Sequence, residues 1–338
     1  MRRLLTFDDV GLIPRFNRIA SRLDTTIKIE LGRTVYKTPF IPANMDTVIG
    51  EELAAVCSAR CAPIIFHRFT PIHTQLEWLK KFPEAYFSIG VTADDNTKLN
   101  ALHAAGCRRF CIDIAHGHSD AMMKRIRELK RDDHTLSIIA GNVCTADGVT
   151  DLIKAGADII KVGVGPGAAC TTRIMTAFGV PQFSAIRDCS DRAKLDSYNV
   201  GRNIHIIADG GIKAPRDAVL AIAAGADAVM MGSVFARTYE SAAEKEIRDG
   251  KTYARYRGQA SAEFMEEYYG DSKKRTAEGV AFDVLVEKSA HDVFDMYEGG
   301  LRSALTYCGV NNLSDFYANA QFFESTSSYM LESGVRMI

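Results

Sequence analysis

The sequence predicts an α/β protein of the (β/α)8, or TIM-barrel, class. Three observations carry this expectation. Eight short apolar runs recur along the chain, segments with helical spacing separate them, and glycines or polar residues gather just after each run. The runs are nearly continuous in hydrophobicity rather than alternating, the pattern of strands covered on both faces, as in a parallel sheet.

In order, the runs are FIPANM (Phe40–Met45), APIIFH (Ala62–His67), YFSIGV (Tyr86–Val91), RFCIDIA (Arg109–Ala115), SIIAGNV (Ser137–Val143), IIKVGVG (Ile159–Gly165), IHIIADGG (Ile204–Gly211) and AVMMGSV (Ala228–Val234). Helical spacing marks Glu51–Ala59, Ser119–Leu129 and Pro215–Ala224 between them. The near-repeats AAGC at Ala104, KAGAD at Lys154 and AAGAD at Ala223 put a glycine where a helix ends and the next strand is about to begin. Successive runs start 22 to 28 residues apart, except for a gap of 45 between Ile159 and Ile204. A doubly wound open sheet would explain the alternation but not the count, so a closed barrel is expected. In a barrel the segments NMDT, HRFT, DIAHGHS, GNV, GVGPG, DGG and GS all follow strand ends and converge on one mouth, where barrel chemistry is done. From Arg248 the chain turns polar and tyrosine-rich, and helical residues around Val293–Leu305 lead it back. The expected organisation is one barrel domain over 1–338, with 250–290 as a mobile flap over the mouth.

Composition narrows the function. Forty-one basic residues balance 42 acidic ones, and no basic stripe or polybasic amphipathic helix argues for nucleic acid or a membrane surface. No apolar run approaches the ~20 residues of a membrane helix. The opening MRRLLTFDDVGLIP is interrupted by acidic residues too early for a signal peptide. Eight cysteines without a C-x-x-C pair or zinc-type spacing fit a reduced, cytoplasmic setting, with most thiols filling core space.

One cysteine stands apart. Cys170 lies in GVGPGAACTTR, on the longest connection, after five residues in which glycine or proline holds three places. Such a loop does not build a core, and a thiol flanked by backbone N–H groups is a candidate nucleophile. DGG (Asp209–Gly211) and the pair Gly232–Ser233 follow the seventh and eighth runs, where barrels commonly seat a phosphate; Asp209 suits a ribose diol better, since like charges repel. Tight βα turns are the bland alternative for those glycines. Asp46, Asp113 and Asn142 end strands inside the mouth, and each buried carboxylate there needs a partner. His116 and His118 are a poor metal pair because no carboxylate partner is near in sequence; exposure or a cofactor contact is expected. Arg275 and Glu278 fall in the expected flap, and Tyr253, Tyr256, Tyr268 and Tyr269 read as packing.

Taken together, LTFDDVGLIP, PANMDTV, IDIAHGHS, GVGPGAACTTR, IIADGGI and GGLRSALTYCG resemble the IMP dehydrogenase/GMP reductase family over essentially the whole chain. The resemblance implies a homotetrameric barrel in which a cysteine bonds C2 of a purine mononucleotide as a thioimidate, while a nicotinamide cofactor exchanges hydride at that carbon. Carried over, Cys170 is the nucleophile, and Thr172 and Glu278 relay protons. Asp209, Gly210, Gly211, Gly232 and Ser233 would hold ribose and phosphate, with Gly258, Gln259, Ala260, Arg275, Thr276, Ala277 and Gly279 closing over the nucleotide. Cofactor contacts would fall on Asp113, Ile114, Ala115, Val164 and Gly165, with Ser21, Arg22, Ser303, Ala304, Leu305 and Thr306 reaching in from a neighbouring subunit. Gly165, Gly167, Cys170 and Arg173 would surround K+. The resemblance points to the reductase branch, which converts GMP and NADPH to IMP, because no connection between strands holds inserted CBS domains. In addition, the 20 residues that follow Gly258, up to Glu278, lack the Arg-Tyr pair with which dehydrogenases activate water. Ala168 and Gln259-Ala260 depart from the usual serine and Met-Ser. IMP dehydrogenase, and a non-redox barrel binding a phosphorylated metabolite, are the alternatives.

Overall fold

The computed structural model describes residues 2–270 and 276–333. The eight expected runs form one eight-stranded sheet: β1 (Phe40–Pro42), β2 (Ile65–Phe66), β3 (Tyr86–Ile89), β4 (Arg109–Asp113), β5 (Ser137–Val143), β6 (Ile159–Val162), β7 (His205–Asp209) and β8 (Ala228–Met231). From β2 to β8 each strand pairs in parallel with its successor, and β8 returns to β1 with Val229 opposite Phe40. Only the β1–β2 seam lacks a ladder among the described residues, so the sheet is a nearly closed barrel. Its helices are α1 (Glu51–Arg60), α2 (Ile72–Lys81), α3 (Asp95–Ala104), α4 (Asp120–Asp132), α5 (Ala146–Ala155), α6 (Gln182–Val200), α7 (Pro215–Ala223) and α8 (Ala290–Cys308).

Most strands are shorter than the apolar runs that announce them, and capping residues mark the helix ends. Ser119 caps α4 by accepting the Met122 N–H, and Gly156 closes α5 in the left-handed conformation. The strands are buried on nearly every residue and share one contiguous apolar cluster with the inner faces of the helices. That layering, and not local propensity, holds the strands' length and direction.

Two parts go beyond the expectation. The segment after the barrel's last strand is more than a loop. Lys245–Arg248, Lys251–Arg257 and Ala281–Leu285 make a three-stranded antiparallel sheet, and Ala262–Tyr269 is helical. At the opposite end of the chain, Val10–Leu12 pairs antiparallel with Phe322–Glu324, so the C-terminal tail is tied to the N-terminal segment. No described helix is long and apolar enough to cross a membrane.

Candidate active site

The connection between β6 and α6 carries the nucleophile candidate. Its 45-residue spacing is filled by the glycine-rich loop, a short helix at Thr172–Thr176 and the nineteen residues of α6. Cys170 is half-buried, and its N–H donates to the Gly167 carbonyl at 3.0 Å. The Sγ donates to Thr172 Oγ1 at 3.3 Å, and Thr172 Oγ1 donates to Glu278 Oε2 at 2.8 Å. A continuous proton path therefore runs from thiol through hydroxyl to carboxylate, across 106 residues of sequence in its second step.

Backbone ladders hold that path in place. Thr171 N–H donates to the Glu278 carbonyl at 2.8 Å, Val280 N–H to Ala169 at 2.9 Å, Glu278 N–H to Ala260 at 3.0 Å, and Gly258 N–H to Val280 at 3.0 Å. Residues 258–261 and 278–280 are thereby stitched to the cysteine loop. Gly258 is required by close approach: a Cβ there would stand 2.8 Å from the Ala169 carbonyl oxygen. Gln259 donates from Nε2 to the Asn44 carbonyl at 2.9 Å, joining the same segment to the loop after β1. Thr276 and Ala277 lie beside this stretch in sequence; Arg275 lies outside the described residues.

The carboxylates of the mouth find neighbours. Asp209, at the end of β7, accepts from Asn142 Nδ2 at 2.9 Å and from Lys161 Nζ at 2.7 Å. Lys161 also reaches Asp113 at 2.9 Å, and Asp113 accepts from Asn44 Nδ2 at 3.1 Å. Burial alone would drive the Lys161 ammonium toward neutrality, but the two carboxylates outweigh it and raise its pKa. Asp46 pairs with Arg257 of the flap sheet at 2.6 Å; burial pushes its pKa up, and the guanidinium opposes that shift without cancelling it. Gly210 and Gly211 follow Asp209 directly, and Ser233 opens a single helical turn, Ser233–Ala236, after Gly232.

The remaining expected residues divide into two groups. Asp113 ends β4 with Ile114 and Ala115 directly after it, Val164 and Gly165 follow β6, and all five are partly or fully exposed. Ser21 and Arg22 belong to a short 3-10 turn that packs on α8, the helix bearing Ser303–Thr306. That is the outer helical layer, and Leu305 there is wholly buried within its own chain. Arg173 folds back on the loop, donating to the Val164 carbonyl at 3.4 Å and to Val180 at 2.5 Å, while the Gly167 and Arg173 carbonyls accept from Cys170 and Ala177. His118 finds a carboxylate partner in space, Asp151 on α5, at 2.9 Å. The partner was missed because it stands 33 residues further along the chain.

Sequence reasoning also passed over Lys161, Asn44, Gln182 and Arg257. Gln182 donates to the carbonyls of Val162 and Asp209 at 3.0 and 3.1 Å and so ties β6 to β7 at the mouth. A signal for Lys161 was available, since a lysine inside IIKVGVG interrupts a run that is otherwise apolar and must be paired if buried.

Comparison with known proteins identifies the family. The IMP dehydrogenase / GMP reductase domain matches residues 4–336. An inosine-5'-monophosphate dehydrogenase of Chlorobaculum tepidum is 41% identical over 257 residues, which cover 73% of this chain and 51% of that protein. Proteins of the same name from Halalkalibacterium halodurans and Streptococcus pyogenes are each 39% identical over 73% of this chain and, respectively, 51% and 50% of their own length. The chain thus spans about half the length of the curated relatives it matches. With a barrel, a loop cysteine and a family match that runs from one end to the other, the chain belongs to the IMP dehydrogenase/GMP reductase family.

Proposed function

We propose that the protein is a GMP reductase, with the balance GMP + NADPH + 2H+ → IMP + NH4+ + NADP+. The observation that carries the reading is the relay Cys170–Thr172–Glu278. The thiol proton passes to Thr172 as the Thr172 hydroxyl proton passes to the Glu278 carboxylate, leaving a thiolate to attack C2 of the guanine. The C–S bond forms, and the C2 amine leaves as ammonia, taking its proton back along the same path. Reduced nicotinamide, when bound, supplies hydride to that carbon. The C–S bond then breaks, and Cys170 recovers its electron pair.

Within this reading Asp209 accepts from the ribose diol. Gly210, Gly211, Gly232 and Ser233 offer N–H and hydroxyl donors to the phosphate. Gly258–Ala260 and Arg275–Gly279 enclose the base, with 250–290 acting as a mobile flap. The donor set proposed for K+, backbone carbonyls of the loop at Gly165, Gly167, Cys170 and Arg173, is hard oxygen and suits an alkali cation better than a transition metal. The ion would brace the loop that carries the thiol. The outer-layer position of Ser21, Arg22 and Ser303–Thr306 suits contacts to the cofactor of a neighbouring chain, in keeping with a homotetramer. A cytoplasmic setting fits eight free cysteines.

The relatives' names favour a second reading, IMP dehydrogenase. The short flap without an Arg-Tyr pair weighs against it, because the dehydrogenase must also activate a water. One spectrophotometric assay separates the two. With GMP and NADPH the reductase consumes absorbance at 340 nm and releases ammonia. A rise with IMP and NAD instead makes the protein a dehydrogenase, and silence with both pairs rejects redox chemistry.

A further inference from the structure

Lys161 is 3% exposed, in the middle of the barrel wall, yet it carries a full charge. Its Nζ lies 2.9 Å from Asp113 Oδ1 on β4 and 2.7 Å from Asp209 Oδ2 on β7, so from β6 it spans two strands in one direction and one in the other. The strand it crosses, β5, makes way for it. A Cβ on Gly141 would come within 2.7 Å of the Lys161 Cβ and 2.6 Å of its carbonyl oxygen, so any side chain there would displace the lysine. Both carboxylates are further held by amides: Asp113 Oδ2 by Asn44, which also donates to Ser88 at 3.0 Å, and Asp209 Oδ2 by Asn142. The two hydrogen bonds of Asp209 converge on Oδ2, and a fifth of its side chain remains exposed to the mouth.

We propose that Lys161 is a positioning residue, whose ammonium turns Oδ1 of Asp209 toward the sugar diol of the nucleotide and locks that carboxylate to Asp113 on the cofactor side. The inference rests on the nucleotide reading given above. One buried cation between two carboxylates leaves one net negative charge. Without it the two acids would share a mostly buried site with only amide donors, and one would take up a proton. A protonated Asp209 is a poor acceptor for a diol, and an untethered one is free to rotate away. The other ionisable groups facing the cluster are Cys111 on β4, which burial pushes up to about 12, and Tyr256 of the flap, which burial also pushes up. Both are neutral near pH 7 and leave Lys161 as the only cation there among the described residues.

The test compares the wild type with Lys161→Met, Lys161→Arg and Lys161→Met/Asp113→Asn. GMP and its 2′,3′-dideoxy analogue are titrated calorimetrically, and thermal stability is followed from pH 5 to 8. Wild type should prefer GMP by tenfold or more, Lys161→Met by less than threefold, and Lys161→Arg should restore part of the preference. Thermal stability reports the charge cluster without any ligand. In Lys161→Met an acid has its folded pKa raised, so the variant should gain stability relative to wild type as pH falls and lose it as pH rises through that pKa; the double variant should lose this trend. If Lys161→Met keeps the wild-type sugar preference, or its stability profile parallels wild type, the inference is overturned. If wild type binds neither nucleotide while the stability trend appears, the nucleotide reading falls and the sugar-orienting role falls with it, whereas the charge coupling stands. Should Lys161→Met fail to fold, the double variant decides the sugar preference.

Discussion

At the residue scale the proposed chemistry turns on three side chains that reach one another only because two distant loops are laced together. Cys170→Ala removes the proposed nucleophile but no backbone bond of that lacing, so turnover should vanish while nucleotide binding, read by calorimetry, persists. Glu278→Gln keeps a hydrogen-bond acceptor for Thr172 but cannot take a proton; kcat should fall by about 10²- to 10⁴-fold, the usual span of a general acid–base group, with KM changed little. A matching fall in binding would assign Glu278 to substrate contact instead. Cys170 was legible in sequence because glycine and proline crowd it in a way no core tolerates. Lys161 and Arg257 were less so: a lysine in an apolar run signals only that a partner is needed, and the partners themselves stand 48 and 211 residues away.

At the scale of elements, the barrel units announced themselves by burial on both faces and by glycines at helix ends, features that arise from the sequence of each unit alone. The flap sheet did not. All four residues of Lys245–Arg248 are exposed, so no apolar signal marks that strand, and only Ala254 and Tyr256 of Lys251–Arg257 turn inward strongly. Ala254, Tyr256, Val284 and Val286 of this region join the barrel's apolar core, and ion pairs add a second fastening. Arg257, with 12% of its side chain exposed, joins Asp46 after β1 to Glu267 of the flap helix. Arg257→Met strips Asp46 of its cation and leaves a carboxylate whose pKa burial already raises. The flap should then spend more time open. KM for the nucleotide should rise about tenfold, in line with roughly 1.5–3 kcal/mol for a charged hydrogen bond. Amide exchange over 250–290 should quicken while the barrel strands keep their protection. Equal acceleration in β4 to β7 would mean that the pair supports the barrel itself.

For the molecule as a whole, unfolding of the contiguous core can be followed at Trp78, the only tryptophan in the sequence. It stacks on Phe66 of β2 with ring centroids 4.4 Å apart. The next residue, His67, is buried and neutral: Nδ1 accepts the Phe69 N–H at 3.3 Å, which leaves the proton on Nε2 to serve Thr70 Oγ1 at 3.2 Å. Burial, with a smaller push from Lys98, lowers its pKa to about 4 from 6.5. The folded state therefore resists a proton that the unfolded chain accepts. The histidine's contribution is complete above pH 6.5 and is lost as pH falls toward 4, amounting to about 3 kcal/mol at 1.36 kcal/mol per pKa unit. The urea midpoint read from Trp78 should fall steadily from pH 7 to pH 4. Other carboxylates titrate at the acid end of this range, so the decisive quantity is the difference between wild type and His67→Gln. That difference should open below pH 6.5 and saturate near pH 4; parallel curves would show that the imidazole is protonated in the fold and that burial at the end of β2 is looser than its neighbours suggest.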